Sequence, residues 1–132
     1  RIALCNRTAA RAEDLVARHL GSAMLSKTEL LALDQQALDA DFDLIINATS
    51  SSLSGGPIPV PARVLRPGAL AYDMMYGPPA QGFLDWADAH GAVARDGLGM
   101  LVEQAAQSFL LWRGVRPPST QVLSELRALL AA

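Results

Sequence analysis

The sequence predicts an α/β fold, a parallel sheet covered by helices on both faces, and two observations carry that expectation. Apolar runs of strand length (Ile2-Ala3-Leu4, Phe42-Asp43-Leu44-Ile45-Ile46, Ala69-Leu70-Ala71-Tyr72-Asp73-Met74 and Ala92-Val93-Ala94) alternate with stretches that have the 3.6-residue spacing of amphipathic helices. Strands alternating with helices at these lengths argue for parallel pairing with helices as crossovers. A chain of 132 residues, 51% hydrophobic and 18% charged, also carries enough apolar surface for a real core.

Composition narrows the partners. A formal net charge of −2 offers no broad basic field for nucleic acid. No apolar run approaches the roughly 18 residues of a membrane-spanning helix, and the N-terminus lacks the layout of an export signal, so neither a membrane nor secretion is expected. The single cysteine, Cys5, has no internal disulfide partner and reads as a small buried residue of a protein in a reducing, cytoplasmic setting.

The first strand runs into a basic, helix-opening turn, Asn6-Arg7-Thr8-Ala9-Ala10-Arg11. Thr8 is the expected N-cap; Ala12, Leu15, Val16, His19 and Leu20 form one apolar side, and Gly21 stops the helix. His19 suits the helix C-terminus, and no metal site is read, because His90 is the only other histidine. In a dinucleotide-binding unit the end of the second strand meets the adenosine ribose, where an acid takes the 2′-hydroxyl of NAD and an Arg accommodates the 2′-phosphate of NADP. Asn6-Arg7, with no acid before Glu13, selects NADP if this is that strand. The grouping of Arg1, Arg7, Arg11 and Arg18 then reads as a small-anion site. A basic residue merely solvated beside a helix start is the competing reading, and these residues alone leave it open. Such a strand should follow another strand and a Gly-rich turn. Neither is in the sequence, so both are expected on the N-terminal side, in a longer protein.

Further along, Ser22 to Leu25 is read as a short strand and Ser26 to Leu38 as a weaker helix. The loop Asn47-Ala48-Thr49-Ser50-Ser51-Ser52 leaves the Phe42–Ile46 strand at its carboxyl end, where open α/β sheets bind ligands. Thr49 is therefore a candidate cofactor contact, against the plainer reading that Ser, Thr and Gly make turns. Pro57, Pro59, Pro61 and Pro67 stiffen the connection up to Gly68. Asp73 closes an apolar run and needs a hydrogen-bonding reason to be there, either as a loop cap or in chemistry. Phe83, Trp86, Ala87 and His90 form a helix ended by Gly91.

Gly97-Leu98-Gly99 begins like the GxGxxG motif but lacks its third glycine and the acid about twenty residues on, so it is rejected as the pyrophosphate loop. Its glycines still allow a close backbone approach to a ligand. The helix from Met100 to Arg113 is apolar nearly all round and is expected to be buried on several sides. Within it Gln104 either ties down backbone or faces a polar ligand. After Gly114 and Pro117-Pro118, Ser119 opens a last helix whose Val122, Leu123, Leu126, Leu129 and Leu130 are expected to face the core.

Taken together, Asn6-Arg7-Thr8 with Arg11, Asn47-Ala48-Thr49-Ser50-Ser51, Tyr72-Asp73-Met74 with Tyr76, and Asp96-Gly97-Leu98-Gly99-Met100-Leu101-Val102 with Gln104-Ala105 resemble the C-terminal half of shikimate dehydrogenases. The resemblance implies a Rossmann-like sheet lacking its first strand and Gly-rich turn. Residues 1–132 would then be a partial NADP-binding domain with C-terminal helices that close on a substrate cleft, the N-terminal catalytic domain being absent. It implies that Asn6, Arg7, Thr8 and Arg11 surround the adenosine 2′-phosphate. Ala48 and Thr49 would line the ribose and nicotinamide side, Met74 and Gly97 would fix the nicotinamide through backbone, and Met100 would pack near it. Tyr76 and Gln104 would reach shikimate or 3-dehydroshikimate. The family's Lys/Asp proton-transfer pair lies in the N-terminal part. Lys27, the only lysine here, does not match it, so no catalytic residue is assigned and the chain alone is expected to be inert. A quinate/shikimate dehydrogenase, a stand-alone nucleotide-binding module and another NADP enzyme on a similar domain are the alternatives, the last disfavoured by the Asp96 to Gln104 motif. A homodimer is compatible with this reading.

Overall fold

The computed structural model describes residues 1–21, 27–35, 38, 41–56, 58 and 60–130. They fall into two compact units, Arg1–Asp41 with Pro59–Val64, and Phe42–Ile58 with Leu65–Ala132.

In the first unit β1 (Ile2–Leu4) pairs in parallel with β2 (Leu30–Ala32), and α1 (Ala9–His19) lies on the connection between them. Thr8 precedes α1 in the extended conformation, as predicted, but its side chain caps nothing. The turn is held instead by Asn6, whose Oδ1 accepts the Thr8 N–H at 2.9 Å, an arrangement Asn makes by mimicking a backbone turn. Ala12 and Val16 are buried, whereas Leu15 and Leu20 of the same predicted face are exposed. The helix predicted from Ser26 to Leu38 is replaced, where described, by β2. A weak helical pattern loses here to a ladder: the Ile2 N–H donates to Glu29 O at 2.8 Å and the Leu33 N–H to Leu4 O at 2.9 Å. Lys27 lies in a turn, and the strand predicted over Ser22 to Leu25 falls outside the described residues.

The second unit holds a three-stranded parallel sheet in the order β3 (Phe42–Asn47), β4 (Leu65–Asp73), β5 (Val93–Arg95). Helix α2 (Gln81–Ala89) crosses from β4 to β5, and α3 (Leu98–Arg113) and α4 (Ser119–Leu130) follow. β4 starts earlier than predicted. Phe42 faces Leu65, the register then slips, and Leu44 faces Leu70, so Arg66, Pro67 and Gly68 lie in an irregular stretch of strand. Pro67, which has no N–H to give a ladder, is tolerated at such an irregularity, and Gly68 takes φ +77° while donating its N–H to Gly91 O at 2.8 Å.

The two faces of this sheet differ. On one, Ile45, Ala71 and Ala94 stand side by side and pack with Phe83, Trp86, Ala87 and Ala92 to make the core. On the other, Leu44, Leu70 and Val93 form a row that is largely exposed, as is the neighbouring Ile46. Helix α3 buries only Leu98, Val102 and Ala106, so its apolar circumference is not enclosed as expected, and Trp112 is 80% exposed. Helix α4 buries no residue; Leu123 and Leu126 of its predicted core stripe are half-buried, while Val122, Leu129 and Leu130 are exposed. The two helices are clasped where they meet. Arg116 donates to Gln107 Oε1 at 3.1 Å and to Glu103 Oε2 at 2.6 Å, and the Ser119 hydroxyl donates to Glu103 Oε1 at 2.7 Å.

Candidate functional site

Each unit carries a group of the predicted site residues. In the first, the end of β1 passes through the Asn6 turn into α1, whose first N–H groups have no intrahelical acceptors. Two of the four arginines grouped by sequence are already engaged: Arg1 lies 3.8 Å from Glu29, and Arg18 pairs with Asp14 one turn away. Arg7 and Arg11 are exposed and have no acidic partner among the described residues. Thr8 is exposed and Asn6 half-buried. What remains is two uncommitted guanidiniums beside a helix N-terminus, the chemistry that suits a phosphate. Neighbouring Cys5 is half-buried; burial, with the Asp34 carboxylate adding to it, pushes its thiol pKa up, so the sulfur is held protonated and is a poor nucleophile.

In the second unit the carboxyl ends of β3 and β4 meet in a buried polar network. Asp73 is fully buried and Asn47 nearly so. The Asp73 carboxylate accepts the Met75 N–H at 2.9 Å on Oδ1, and on Oδ2 the Asn47 side-chain NH2 at 3.1 Å and the Ser52 hydroxyl at 2.5 Å. With its NH2 committed to Asp73 and Ser52, Asn47 turns Oδ1 toward Thr49, accepting the Thr49 hydroxyl at 2.7 Å and N–H at 3.2 Å. The Thr49 oxygen also shares a 2.6 Å hydrogen bond with Ser51 and accepts the Ser51 N–H. Asp73 is thus a loop cap, one of the two reasons its sequence position allows. Thr49, predicted as a cofactor contact, is oriented by Asn47, while the adjacent Ala48 is exposed.

Gly97 joins this cluster from the turn between β5 and α3. Its N–H donates to Met75 O at 2.8 Å, and a Cβ at this position would stand 2.1 Å from Met74 O. Its φ is −78°, so a glycine is required by space and not by backbone conformation. Thr49, Met74 and Gly97 are therefore gathered around the Asn47–Asp73 pair. Met100 and Gln104 lie one turn apart along α3, both exposed, and Tyr76 is exposed on the loop after β4. The exposure of Gln104 removes the burial problem its apolar neighbours suggested.

Sequence reasoning missed the Asn47 and Ser52 contacts to Asp73, and it missed Arg127. From the last helix, Arg127 donates to both oxygens of Asp96, at 2.8 and 2.6 Å. Hydrogen bonding to Asp96 raises the Arg127 pKa above its ordinary value, with desolvation opposing and the charges of Asp96 and Tyr72 adding to the rise. The available signal was an arginine one turn after Leu123, beside an apolar stripe. Among the described residues no group of three His, Cys, Asp or Glu side chains is arranged for a metal, and no helix is long and apolar enough to cross a membrane.

Parallel strands joined by helices, with polar loops gathered at their carboxyl ends, define a Rossmann-like α/β protein, and solved structures agree. The chain superimposes on an Ael1 enzyme from Pseudomonas putida with TM-score 0.77 and 40% identity, over 94% of this chain and 44% of that one. It superimposes on shikimate 5-dehydrogenase from Thermus thermophilus, in complex with shikimate, with TM-score 0.74 and 31% identity, over 98% of this chain and 45% of that one. Residues 97–127 match the shikimate 5′-dehydrogenase C-terminal domain. The whole chain is 76% identical, over 132 residues, to 47% of the shikimate dehydrogenase (NADP(+)) of Acidovorax ebreus (strain TPSY). The chain is thus similar over its whole length to part of the curated shikimate dehydrogenases (NADP(+)), and it spans about half the length of the relatives it matches.

Proposed function

We propose that this chain is the cofactor-binding part of an NADP-dependent shikimate dehydrogenase, which reversibly reduces 3-dehydroshikimate to shikimate in aromatic amino-acid biosynthesis. The observation that carries the cofactor choice is the pair Arg7 and Arg11, exposed and without acidic partners among the described residues, on a turn fixed by Asn6. An adenosine 2′-phosphate there gains two charge-assisted contacts and the N-terminal end of α1, none of which the 2′-hydroxyl of NAD exploits equally.

When bound, NADPH supplies the hydride for the substrate carbonyl. In this reading Ala48, Thr49, Met74, Gly97 and Met100 hold the nicotinamide end, and Gly97 fits that task because its bare Cα lets the α3 turn lie against the Met74 carbonyl. Tyr76 and Gln104, both exposed and free to contact a ligand, hold the substrate's hydroxyl or carboxylate groups. The proton for the reduced oxygen comes from an N-terminal catalytic domain, since this chain has no lysine at a matching place. The partners are small molecules, with no nucleic acid or membrane, and the setting is the cytoplasm; a homodimer is compatible with it.

The test is a chimera in which this chain replaces the matching residues of the Acidovorax ebreus enzyme. It is expected to oxidise shikimate with NADP, whereas the chain alone is expected not to. Arg7→Ala in the chimera is expected to raise the KM for NADP about 10- to 100-fold and to leave the KM for NAD nearly unchanged. Equal losses for both cofactors would remove the phosphate role from Arg7.

A further inference from the structure

Arg127 lies outside every motif that carries the family resemblance, yet it makes a two-pronged ion pair with a residue 31 positions earlier. Most ion pairs at a protein surface contribute little, because water competes for both partners and long side chains lose freedom. This one differs on the acidic side: the Asp96 side chain is only 5% exposed, against 48% for Arg127. Asp96 is also committed to α3, since its Oδ1 accepts the Leu98 N–H at 3.3 Å and places negative charge at the helix N-terminus, where the helix dipole favours it.

The residue between them, Gly97, is wedged against the end of β4, with its N–H on Met75 O and no room for a Cβ beside Met74 O. The first turn of α3 is therefore held from three directions: by the β4 end through Gly97, by the Asp96 carboxylate on the Leu98 N–H, and by α4 through Arg127. Helix α4 has no buried residue to anchor it. Its first residue is tied to Glu103 through Ser119, and Arg127 is the tie near its other end.

We propose that Asp96 and Arg127 form a positioning pair through which α4 fixes the Asp96–Leu98 turn against the end of β4 and so sets the orientation of the nicotinamide ring. This rests on the cofactor reading above. Neither side chain touches the reacting atoms; both act through Gly97. A pair that only orders the nicotinamide end alters turnover and leaves the 2′-phosphate contacts, and hence most of the NADP affinity, as they were.

The experiment uses the chimera with Arg127→Met, Arg127→Lys, Asp96→Asn and the Asp96→Asn/Arg127→Met double variant, measuring kcat, the KM for NADP and for shikimate, and the NADP-to-NAD preference. Alongside, amide hydrogen exchange is followed in the 132-residue chain and its Arg127→Met variant. The expected result is a fall in kcat of about tenfold or more for Arg127→Met, with the KM for NADP and the cofactor preference within about twofold. Arg127→Lys, a charge without the fork, restores part of the rate, and the double variant is no worse than the poorer single one. An unchanged kcat, a loss confined to the KM for NADP, or additive losses in the double variant would overturn the positioning role. An inert parent chimera would instead defeat the shikimate dehydrogenase reading. Exchange then decides the local part: faster exchange at Leu98 to Val102 in Arg127→Met supports the clasp on the α3 turn, and unchanged exchange there overturns it.

Discussion

Gly97 and Gly99 stand two residues apart in the same glycine-containing motif, yet the structure demands only one of them. A methyl group at Gly97 would sit 2.1 Å from the Met74 carbonyl oxygen, and since the obstacle is backbone it cannot swing aside; at Gly99, inside α3, nothing lies within 4 Å. Gly97→Ala is therefore expected to destabilise the chain by about 3 kcal/mol, the upper range for overpacking. Gly99→Ala is expected to be neutral or to stabilise by up to about 1 kcal/mol, because alanine loses less backbone freedom in a helix. Urea unfolding of the two variants checks this, and equal effects would mean that the close approach at Gly97 is not maintained in solution. The motif shows that glycines occur here; which of them is sterically required depends on Met74, twenty-three residues earlier, and is invisible locally. The same holds for Arg127, whose partner Asp96 is set by how α4 returns along α3.

At the scale of the elements, the junction of β3 and β4 depends on a carboxylate surrounded by donors. Asp73 accepts from the Met75 N–H on one oxygen and from Asn47 and Ser52 on the other. Asp73→Asn keeps the size but replaces one oxygen with an NH2, which must then face either the Met75 N–H or the Asn47 NH2. Both orientations oppose donor to donor, with an expected cost of about 2 kcal/mol. Thermal melts of this variant should show it, and so should looser ordering of Thr49, read as raised hydrogen exchange in the loop after β3. β3, β4, β5 and the four helices were legible because their apolar spacing is local. β2 was not, because a three-residue strand exists only by pairing with β1, and its own residues carry a faint helical pattern. The register slip at Arg66 to Gly68 was equally hidden, since it reflects what β3 offers opposite. Within the candidate site the positions of Asn6, Arg7, Thr49 and Gly97 were readable, and the contacts that orient them were not.

For the whole molecule, the two units differ in how much apolar material each encloses. In the first, the buried hydrophobic residues are Ala12, Val16, Leu38 and Val64, three of them small or β-branched, and its sheet has two three-residue strands. The second encloses Leu65, Ala71, Phe83, Ala87 and Ala92 beneath one face of a three-stranded sheet, with Leu98, Val102 and Ala106 contributed by α3. Segments near 40 residues seldom fold without a metal, a disulfide or a partner, and the only cysteine of the chain is free. A peptide of residues 1–41 is therefore expected to lack a cooperative transition, while residues 42–132 retain one, followed by circular dichroism in urea. Phe83→Ala is expected to lower the stability of residues 42–132 by about 3–5 kcal/mol, as removal of a fully enclosed ring does. By contrast Ile46→Thr, on the open face of the same sheet, should change it by no more than about 0.5 kcal/mol. If Ile46→Thr proved as costly as Phe83→Ala, the open face would be enclosed in solution; if residues 1–41 melted cooperatively, the first unit would hold more of a core than its buried residues supply.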